Sequence, residues 1–541
     1  MNNLSLLGKK WIFPSENSRE NLIENLKKIR GIEECGFHPP EKLKDLEKAA
    51  ERIRAAMKNG ERILIVGDYD ADGVCASVIL FKTLANLGSK VSVRLPDRAK
   101  HGYGLNAEFV REAKKLGVKL IITVDNGISA TQEIELANSF GIDVIITDHH
   151  ISPDELPNAF AIVNPRQKDC EYPEKNLSGA AVAYKLATTL LNQEPITKNS
   201  ELIDELLALA AIGTLADVCE LSGENRMIVT EGLKKIPRTR NPGLRKILAN
   251  AGLNSKISSE DIGFRIAPRL NAAGRLDSPL IAFQALANKD GEKFADGLEK
   301  LNSWRQRLTE KLLAEVEERL GEIGAERILI AGGENFHPGI IGLAAGRLAE
   351  KYHRPAIVMS GAGGKFVGSC RSPLPEFNIT EALRDNSDLL QKFGGHRGAA
   401  GFTLEPKNRA AFEKKMGDYA RAKIKAVELI PRLEIDSQVE ERSLSCEFFE
   451  ELQTLAPFGA GNPEPLFHLE NVELAEIRTV GNGEKHLRAK IGKTKITAIG
   501  FGLGEFAEEL GKRGSADLVF QLSENEWNGN CELQLKMVDL R

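Results

Sequence analysis

Three acidic stretches recur in one local setting: Asp68-Tyr69-Asp70-Ala71-Asp72-Gly73, Val124-Asp125-Asn126-Gly127 and Thr147-Asp148-His149-His150. Carboxylates gathered in one crevice repel one another unless cations hold them together. Oxygen-rich ligand sets with His favour Mn2+ or Mg2+, ions suited to phosphoester hydrolysis. The chemistry these residues point to is metal-dependent hydrolysis of a phosphoester.

The elements that must position them are legible next. Each stretch directly follows an apolar, β-branched run: Ile63-Leu64-Ile65-Val66, Leu120-Ile121-Ile122-Thr123 and Val144-Ile145-Ile146. Such runs read as buried parallel strands, which places the carboxylates and imidazoles at strand C-terminal ends, where open α/β sheets bind ligands. The pattern predicts helices near 41–59, 73–87, 106–116 and 130–140, alternating with strands at 61–67, 90–95, 119–124 and 143–147. That alternation means an α/β fold with a mostly parallel sheet covered by helices.

Taken singly, each motif has a bland alternative. The Asp68–Gly73 stretch can be a solvated turn or a calcium loop, but an EF-hand needs ligands over twelve residues ending in Glu, and here Val74 opens an apolar helical stretch. Asn126-Gly127 favours a turn. Adjacent His149 and His150 point in different directions, so one can bind metal while the other faces substrate. Their coincidence at successive strand ends makes the bland readings improbable. Asp217 sits in the apolar stretch Leu206–Val218, where a buried carboxylate must be paired or bound to a cation; helix capping is the alternative.

Elsewhere, residues 1–40 form a lead-in, with Trp11 and Phe13 as anchors. Residues 178–253 are mainly helical. A charged, periodic segment at 290–322 reads as one long connecting helix whose polar face is solvated. A second α/β pattern starts at Arg327-Ile328-Leu329-Ile330 and runs to about 424. Short alternating segments at 472–480, 487–492, 495–501 and 517–523 predict a small antiparallel barrel.

At 541 residues the chain holds three or four domains. No run reaches the roughly 18 apolar residues of a membrane span, and Met1–Phe13 lacks a signal-peptide core. Seven scattered cysteines with no CxxC suggest neither disulfide framework nor zinc ribbon, and point to reduced thiols in the cytoplasm. A net charge of −4 argues against indiscriminate polyanion binding but leaves room for a local basic channel.

Together, Asp-Tyr-Asp-Ala-Asp-Gly, Val-Asp-Asn-Gly, Asp-His-His and Gly213-Thr214-Leu215-Ala216-Asp217-Val218 resemble the signatures of the DHH phosphoesterase superfamily. Three further stretches narrow the resemblance to the RecJ family of single-strand-specific 5′→3′ exonucleases. They are Gly263–Leu276, Phe336-His337-Pro338-Gly339-Ile340-Ile341-Gly342 and Gly394-Gly395-His396-Arg397-Gly398-Ala399-Ala400-Gly401. Leu455–Pro463, near the barrel, is similar too.

The resemblance implies a DHH catalytic domain at 41–289, a connecting helix at 290–322, a DHH-associated domain at 323–427 and an OB-like barrel at 428–541. It implies two divalent cations held by Asp70, Asp72, Asp125, His149 and Asp217, with Asp125 bridging and Asp68 either a ligand or a support behind one. His150 would sit beside the scissile phosphate, with Asn271, Arg275 and His396, the last in a glycine-rich loop, completing the catalytic set. Arg98, Ser369 and Arg371 would form the pocket for the DNA 5′ end, with the barrel gripping the strand; Trp527 and Phe501 read equally as stacking platforms or as core residues. The expected activity is release of 5′-mononucleotides from single-stranded DNA in repair and recombination, in company with a single-strand-binding protein and a helicase. The rivals are a DHH phosphodiesterase acting on short oligonucleotides or cyclic dinucleotides, and a non-catalytic scaffold.

Overall fold

Each apolar run that precedes an acidic stretch forms a strand. β1 (Arg62–Val66), β2 (Lys90–Arg94), β3 (Val118–Val124), β4 (Asp143–Thr147) and β5 (Ala161–Val163) make one sheet in the order β2-β1-β3-β4-β5, parallel throughout. The computed structural model describes residues 4–14, 22–32, 36–98, 100–192, 199–527 and 530–541, with only the backbone at 362, 525–527, 530 and 531. The chain divides into two units: residues 24–304 with 455–463, and residues 1–23, 305–454 and 464–541.

In the first unit, strand alternation sends successive side chains to opposite faces. Ile63, Ile65, Leu120, Ile122 and Val124 pack with helices α1 (Leu46–Lys58) and α2 (Ala71–Asn86). Leu64, Val66, Ile121, Val144 and Ile146 pack on the other face with α3 (Ala107–Lys115) and α4 (Thr131–Ser139). Each such side chain contributes about 1.5–3 kcal/mol on burial. Helices α5 (Gly179–Leu191), α6 (Ser200–Ala216), α7 (Gly223–Lys235) and α8 (Ala267–Leu276) add a further layer, which leaves α2 buried along most of its length.

The chain runs from β1 to β2 on one side, then crosses to β3 on the other. The C-terminal ends of β1 and β3 therefore flank a topological switch point, the usual ligand crevice of such sheets. One local expectation is corrected, and one strand is added. The helix expected from residue 41 starts at Leu46, because Pro39-Pro40 opens a short 3-10 turn and Asp45 enters the left-handed region at φ +60°. Strand β5 was invisible because three residues carry no readable period.

The second unit has a mixed sheet: β6 (Leu329–Gly333), β7 (Ala356–Ala362), β8 (Lys365–Arg371), β9 (Leu390–His396) and β10 (Ala399–Leu404), ordered β9-β10-β8-β7-β6. Only β6 and β7 run parallel. The connecting segment is the 30-residue helix Gly291–Leu320. The C-terminal strands β11 (Phe467–Val480), β12 (His486–Ile491), β13 (Ile496–Gly500), β14 (Ser515–Trp527) and β15 (Asn530–Leu540) follow the order β11-β12-β13-β15-β14. Pairing of β14 with β11 closes the barrel. The expected all-antiparallel ladder fails at one seam, where β13 pairs in parallel with β15. The excursion through the helix Ala507–Arg513 permits it, since a parallel pair needs a crossover.

Lys10–Ile12 adds in parallel to Arg432–Glu434, and buried Trp11 donates from Nε1 to Asp539 Oδ2 at 2.9 Å. Phe13 is more exposed and sets its ring against His468. Leu455–Pro463 precedes the barrel in sequence but packs in the first unit. Arg226 Nη2 donates to the Leu455 and Ala456 carbonyls at 2.9 and 2.6 Å, and Ser259 Oγ to the Phe458 carbonyl. Among the described residues, no helix is long and apolar enough to cross a membrane.

Candidate metal centre

The site begins where β1 ends. Asp68 is buried, and Asp70 caps α2 with Oδ1 accepting from the Gly73 N–H at 3.0 Å. Asp72, in the first turn of α2, turns toward α5. Its two oxygens accept from the Gly179 and Ala180 N–H groups at 2.7 and 3.0 Å. A helix N-terminus is a favourable place for an anion. Ser178 fixes that terminus, capping α5 through Oγ with the Ala181 N–H at 3.1 Å.

Asp125 leaves β3 in the left-handed region, at φ +61°. Its neighbour Asn126 is fully buried and holds three backbone groups. Nδ2 donates to the Val66 and Val124 carbonyls at 3.0 and 2.8 Å, while Oδ1 accepts from the Leu105 N–H at 3.1 Å. Asp125 is thereby locked across the switch point. Tyr103 adds a hydroxyl donated to the Asp125 carbonyl at 2.7 Å.

After β4, Asp148 takes up its acceptor capacity locally. Oδ2 accepts from the Ile128 N–H at 2.9 Å, and Oδ1 from the His149 N–H at 2.7 Å and His150 Nδ1 at 2.8 Å. It orients the histidines rather than joining the ligand set. Burial pushes its carboxyl up, but the hydrogen bond and charge of His150 hold it below the usual range. His150 rises in turn, despite burial, because Asp148 favours the imidazolium.

His149 stands at the centre, with Nε2 3.0 Å from Asp125 Oδ1 and 4.0 Å from Asp72 Oδ2. Its Nδ1 lies 3.8 Å from Asp217 Oδ2. Three sets of ligand atoms gather within 4.8 Å: Asp68 with Asp70 and Asp125, Asp125 with His149 and His150, and Asp72 with His149 and Asp217. Asp125 and His149 each belong to two sets. Asp217 is not the buried helical carboxylate expected. It terminates α6, with its side chain 35% exposed. A carboxylate at a helix C-terminus opposes the helix dipole, so a cation is its natural partner.

The cluster is electrostatically unfinished. Asp68 Oδ1, Asp125 Oδ1 and His149 Nδ1 are buried without a hydrogen-bond partner. Burial first, then neighbouring carboxylates, push Asp68, Asp72 and Asp125 well above the usual carboxylate range and raise Asp70. Burial lowers His149, keeping it neutral and able to ligate. Carboxylate oxygens with one neutral imidazole are the donor set of Mn2+ or Mg2+.

Two features escaped the sequence. A Cβ on Gly179 would meet Asp125 Oδ1 at 2.6 Å, and one on Gly213 would meet Asp72 Oδ1 at 2.3 Å. Helices α5 and α6 thus approach the carboxylates more closely than any other residue allows. The only signal was a glycine inside each of two Ala/Leu-rich helical stretches.

The remaining expected residues divide between the units. Asn271, on α8, accepts at Oδ1 from the Ala71 N–H at 2.8 Å, so it pins the start of α2. Arg275, one turn on and half-buried, partly offsets the rise that burial imposes on Asp70. Arg98 is exposed, its guanidinium 5.4 Å from the Tyr69 ring centroid. In the second unit, Arg371 Nη1 donates to Ser369 Oγ at 3.2 Å on β8. Both border the first turn of helix α9 (Ile341–Tyr352), where a Gly342 Cβ would lie 3.0 Å from Ser369 Oγ. His396 is not in a loop. Gly394-Gly395-His396 continues β9, pairing with Ala399–Gly401, and the imidazole is exposed at the hairpin end. Phe501 is 59% exposed beside His486, while the Trp527 side chain lies outside the described residues.

Comparison with known proteins agrees with this geometry. Residues 62–214 match the DHH family, N-terminal domain, residues 325–422 the DHHA1 domain and residues 435–539 the RecJ OB domain. The chain is 37% identical over 515 residues to the single-stranded-DNA-specific exonuclease RecJ of Bacillus subtilis, spanning 94% of this chain and 64% of that protein. Identity to the Escherichia coli protein of the same name is 34%, over 92% of this chain and 91% of the relative. The crystal structure of RecJ from Thermus thermophilus in complex with Mn2+ matches with a TM-score of 0.83 at 31% identity, over 98% of this chain and 79% of that one. The chain belongs to the RecJ family.

Proposed function

We propose that this chain is a divalent-metal-dependent exonuclease that hydrolyses single-stranded DNA from its 5′ end, releasing 5′-mononucleotides in repair and recombination. One observation carries the reading: overlapping acidic and His ligand sets at the switch point leave Asp68 Oδ1, Asp125 Oδ1 and His149 Nδ1 buried without a hydrogen-bond partner. Orphaned polar atoms of this kind cost free energy unless a ligand completes them. The activity for which these relatives are named supplies the substrate class.

Asp70, Asp72, Asp125, His149 and Asp217 would hold two cations, Mn2+ or Mg2+, with Asp68 supporting them. Bound there, such ions acidify water and draw charge off the phosphate oxygens. The chain's own groups do the rest. Asp148 orients His150 by accepting a hydrogen bond from its Nδ1–H, and the imidazolium it favours offers charge to the phosphate. Arg275 adds a positive charge whose field reaches Asp70. Arg98 in the first unit, and Ser369 and Arg371 in the second, are each read as contacts for the DNA 5′ end, and His396 as a further phosphate contact. Residues 41–289 are read as the catalytic domain and 428–541 as the strand-gripping barrel, with exposed Phe501 supporting base stacking. The location implied is cytoplasmic, and the partners implied are a single-strand-binding protein and a helicase.

A substrate panel tests this. A long 5′-phosphorylated single strand, its duplex and a dinucleotide are incubated with Mn2+, with and without chelator. The single strand should be shortened from its 5′ end, the duplex spared and the chelator fully inhibitory. Preference for the dinucleotide, or hydrolysis that survives chelation, refutes the reading.

A further inference from the structure

Val218 follows Asp217 directly and holds a backbone conformation that valine rarely adopts, φ +57°. A β-branched residue in the left-handed region is a true outlier, and the position after a helix C-cap is ordinarily glycine. The local bonds are those of a helix stop: the Val218 N–H donates to the Leu215 carbonyl at 3.3 Å and the Cys219 N–H to the Thr214 carbonyl at 3.2 Å. Glycine would make the same bonds without strain.

Packing does not compensate. Val218 is 69% exposed, whereas Leu221, three residues on, is buried and tied to the Ala460 carbonyl by its N–H at 2.8 Å. The strain therefore persists for a side chain that the fold itself leaves in solvent. Strained residues that the fold does not reward cluster where a ligand is handled. Asp217, one residue back, shares a ligand set with Asp72 and His149. Its isopropyl group is open to solvent one residue along the chain from that ligand set, so it can meet a nucleotide bound there.

The geometry points to Val218 as a substrate-contacting residue: an apolar wall against the sugar or base of the nucleotide whose phosphate the metal centre holds. The inference rests on the strand-hydrolysing reading above. A wild-type chain that leaves the strand intact defeats that reading before any variant is compared.

Val218→Gly and Val218→Asn both suit a left-handed backbone and remove the apolar branch. Three quantities are measured on the full-length chain: Tm, Mn2+ affinity by calorimetry, and KM and kcat on a single-stranded oligodeoxynucleotide. The expected result is a Tm equal to or above wild type, Mn2+ affinity within about twofold, and kcat/KM on the strand lower by about tenfold, the usual worth of one apolar contact. A merely structural role cannot raise stability while weakening substrate use. Unchanged kcat/KM, a fallen Tm or a lost Mn2+ affinity overturns the inference.

Discussion

The first unit contains two buried polar clusters that solve the same problem in opposite ways. Around Glu224, every charge is answered. Lys185 pairs with its carboxylate, the Tyr172 hydroxyl donates to it, the His38 N–H donates at 2.9 Å, and Lys185 also donates to the His38 carbonyl at 3.1 Å. Lys185 and Glu224 are nearly inaccessible, yet neither leaves an orphan. Around Asp125, carboxylates face carboxylates and three polar atoms go unmatched. The first cluster is complete without a ligand and holds α5 to α7. The second is complete only when something positive arrives. Burial and charge do not mark a functional site by themselves; here the distinction is a gathering of carboxylates that lacks its cation.

Breaking the unfinished cluster should cost activity and not stability. Asp125→Asn keeps a residue tolerant of the left-handed backbone and removes the shared carboxylate charge. Mn2+-dependent strand hydrolysis should fall by about 10⁴-fold or more, while the metal-free Tm holds or rises because a repelled charge is gone. Retained hydrolysis would erase the contrast.

Breaking the finished cluster should do the reverse. Lys185→Met leaves Glu224 buried without its cation and should lower unfolding free energy by about 3–5 kcal/mol in urea titrations. Mn2+ affinity of the folded protein should stay unchanged. Adding Glu224→Leu should recover most of the loss. A variant that keeps its stability but loses Mn2+ would show that the two clusters are not separate.

The smallest effect is a pH signature. Asp68, Asp72 and Asp125 bind protons more tightly folded than unfolded, so between the unfolded value, near 4, and their raised folded values the native state carries the extra protons. Metal-free stability must therefore fall as pH rises through that range. Saturating Mn2+ should flatten the slope and add about 2.7 kcal/mol at a hundredfold excess over Kd. A Tm that rises with pH in chelator, read by calorimetry, would contradict the charge balance assigned to the centre.

The sequence carried the strand-end carboxylates well, because an apolar run and the Asp that follows it are neighbours along the chain. It carried Asp217 as a candidate ligand but misjudged its burial, since an apolar segment does not reveal which residue ends the helix. It could not carry Gly179 or Gly213, whose meaning lies in distances to Asp125 and Asp72 across the fold. Asp148 was read as part of a motif, and only its hydrogen bonds show that it orients the histidines. The barrel strands were visible from alternation, but the parallel β13–β15 seam depends on a crossover that alternation does not encode.

The bond between Trp11 and Asp539 joins residues 528 positions apart. Lys10–Ile12 likewise waits for Arg432–Glu434 as its partner. On the ribosome, chains emerge N-terminus first and domains fold as they appear. The sheet that carries the carboxylates can therefore assemble early, while the strand Lys10–Ile12 stays unmatched until Arg432–Glu434 and Asp539 have been made. A chain that stopped short of residue 432 would carry a formed carboxylate sheet and an unpaired Lys10–Ile12 strand.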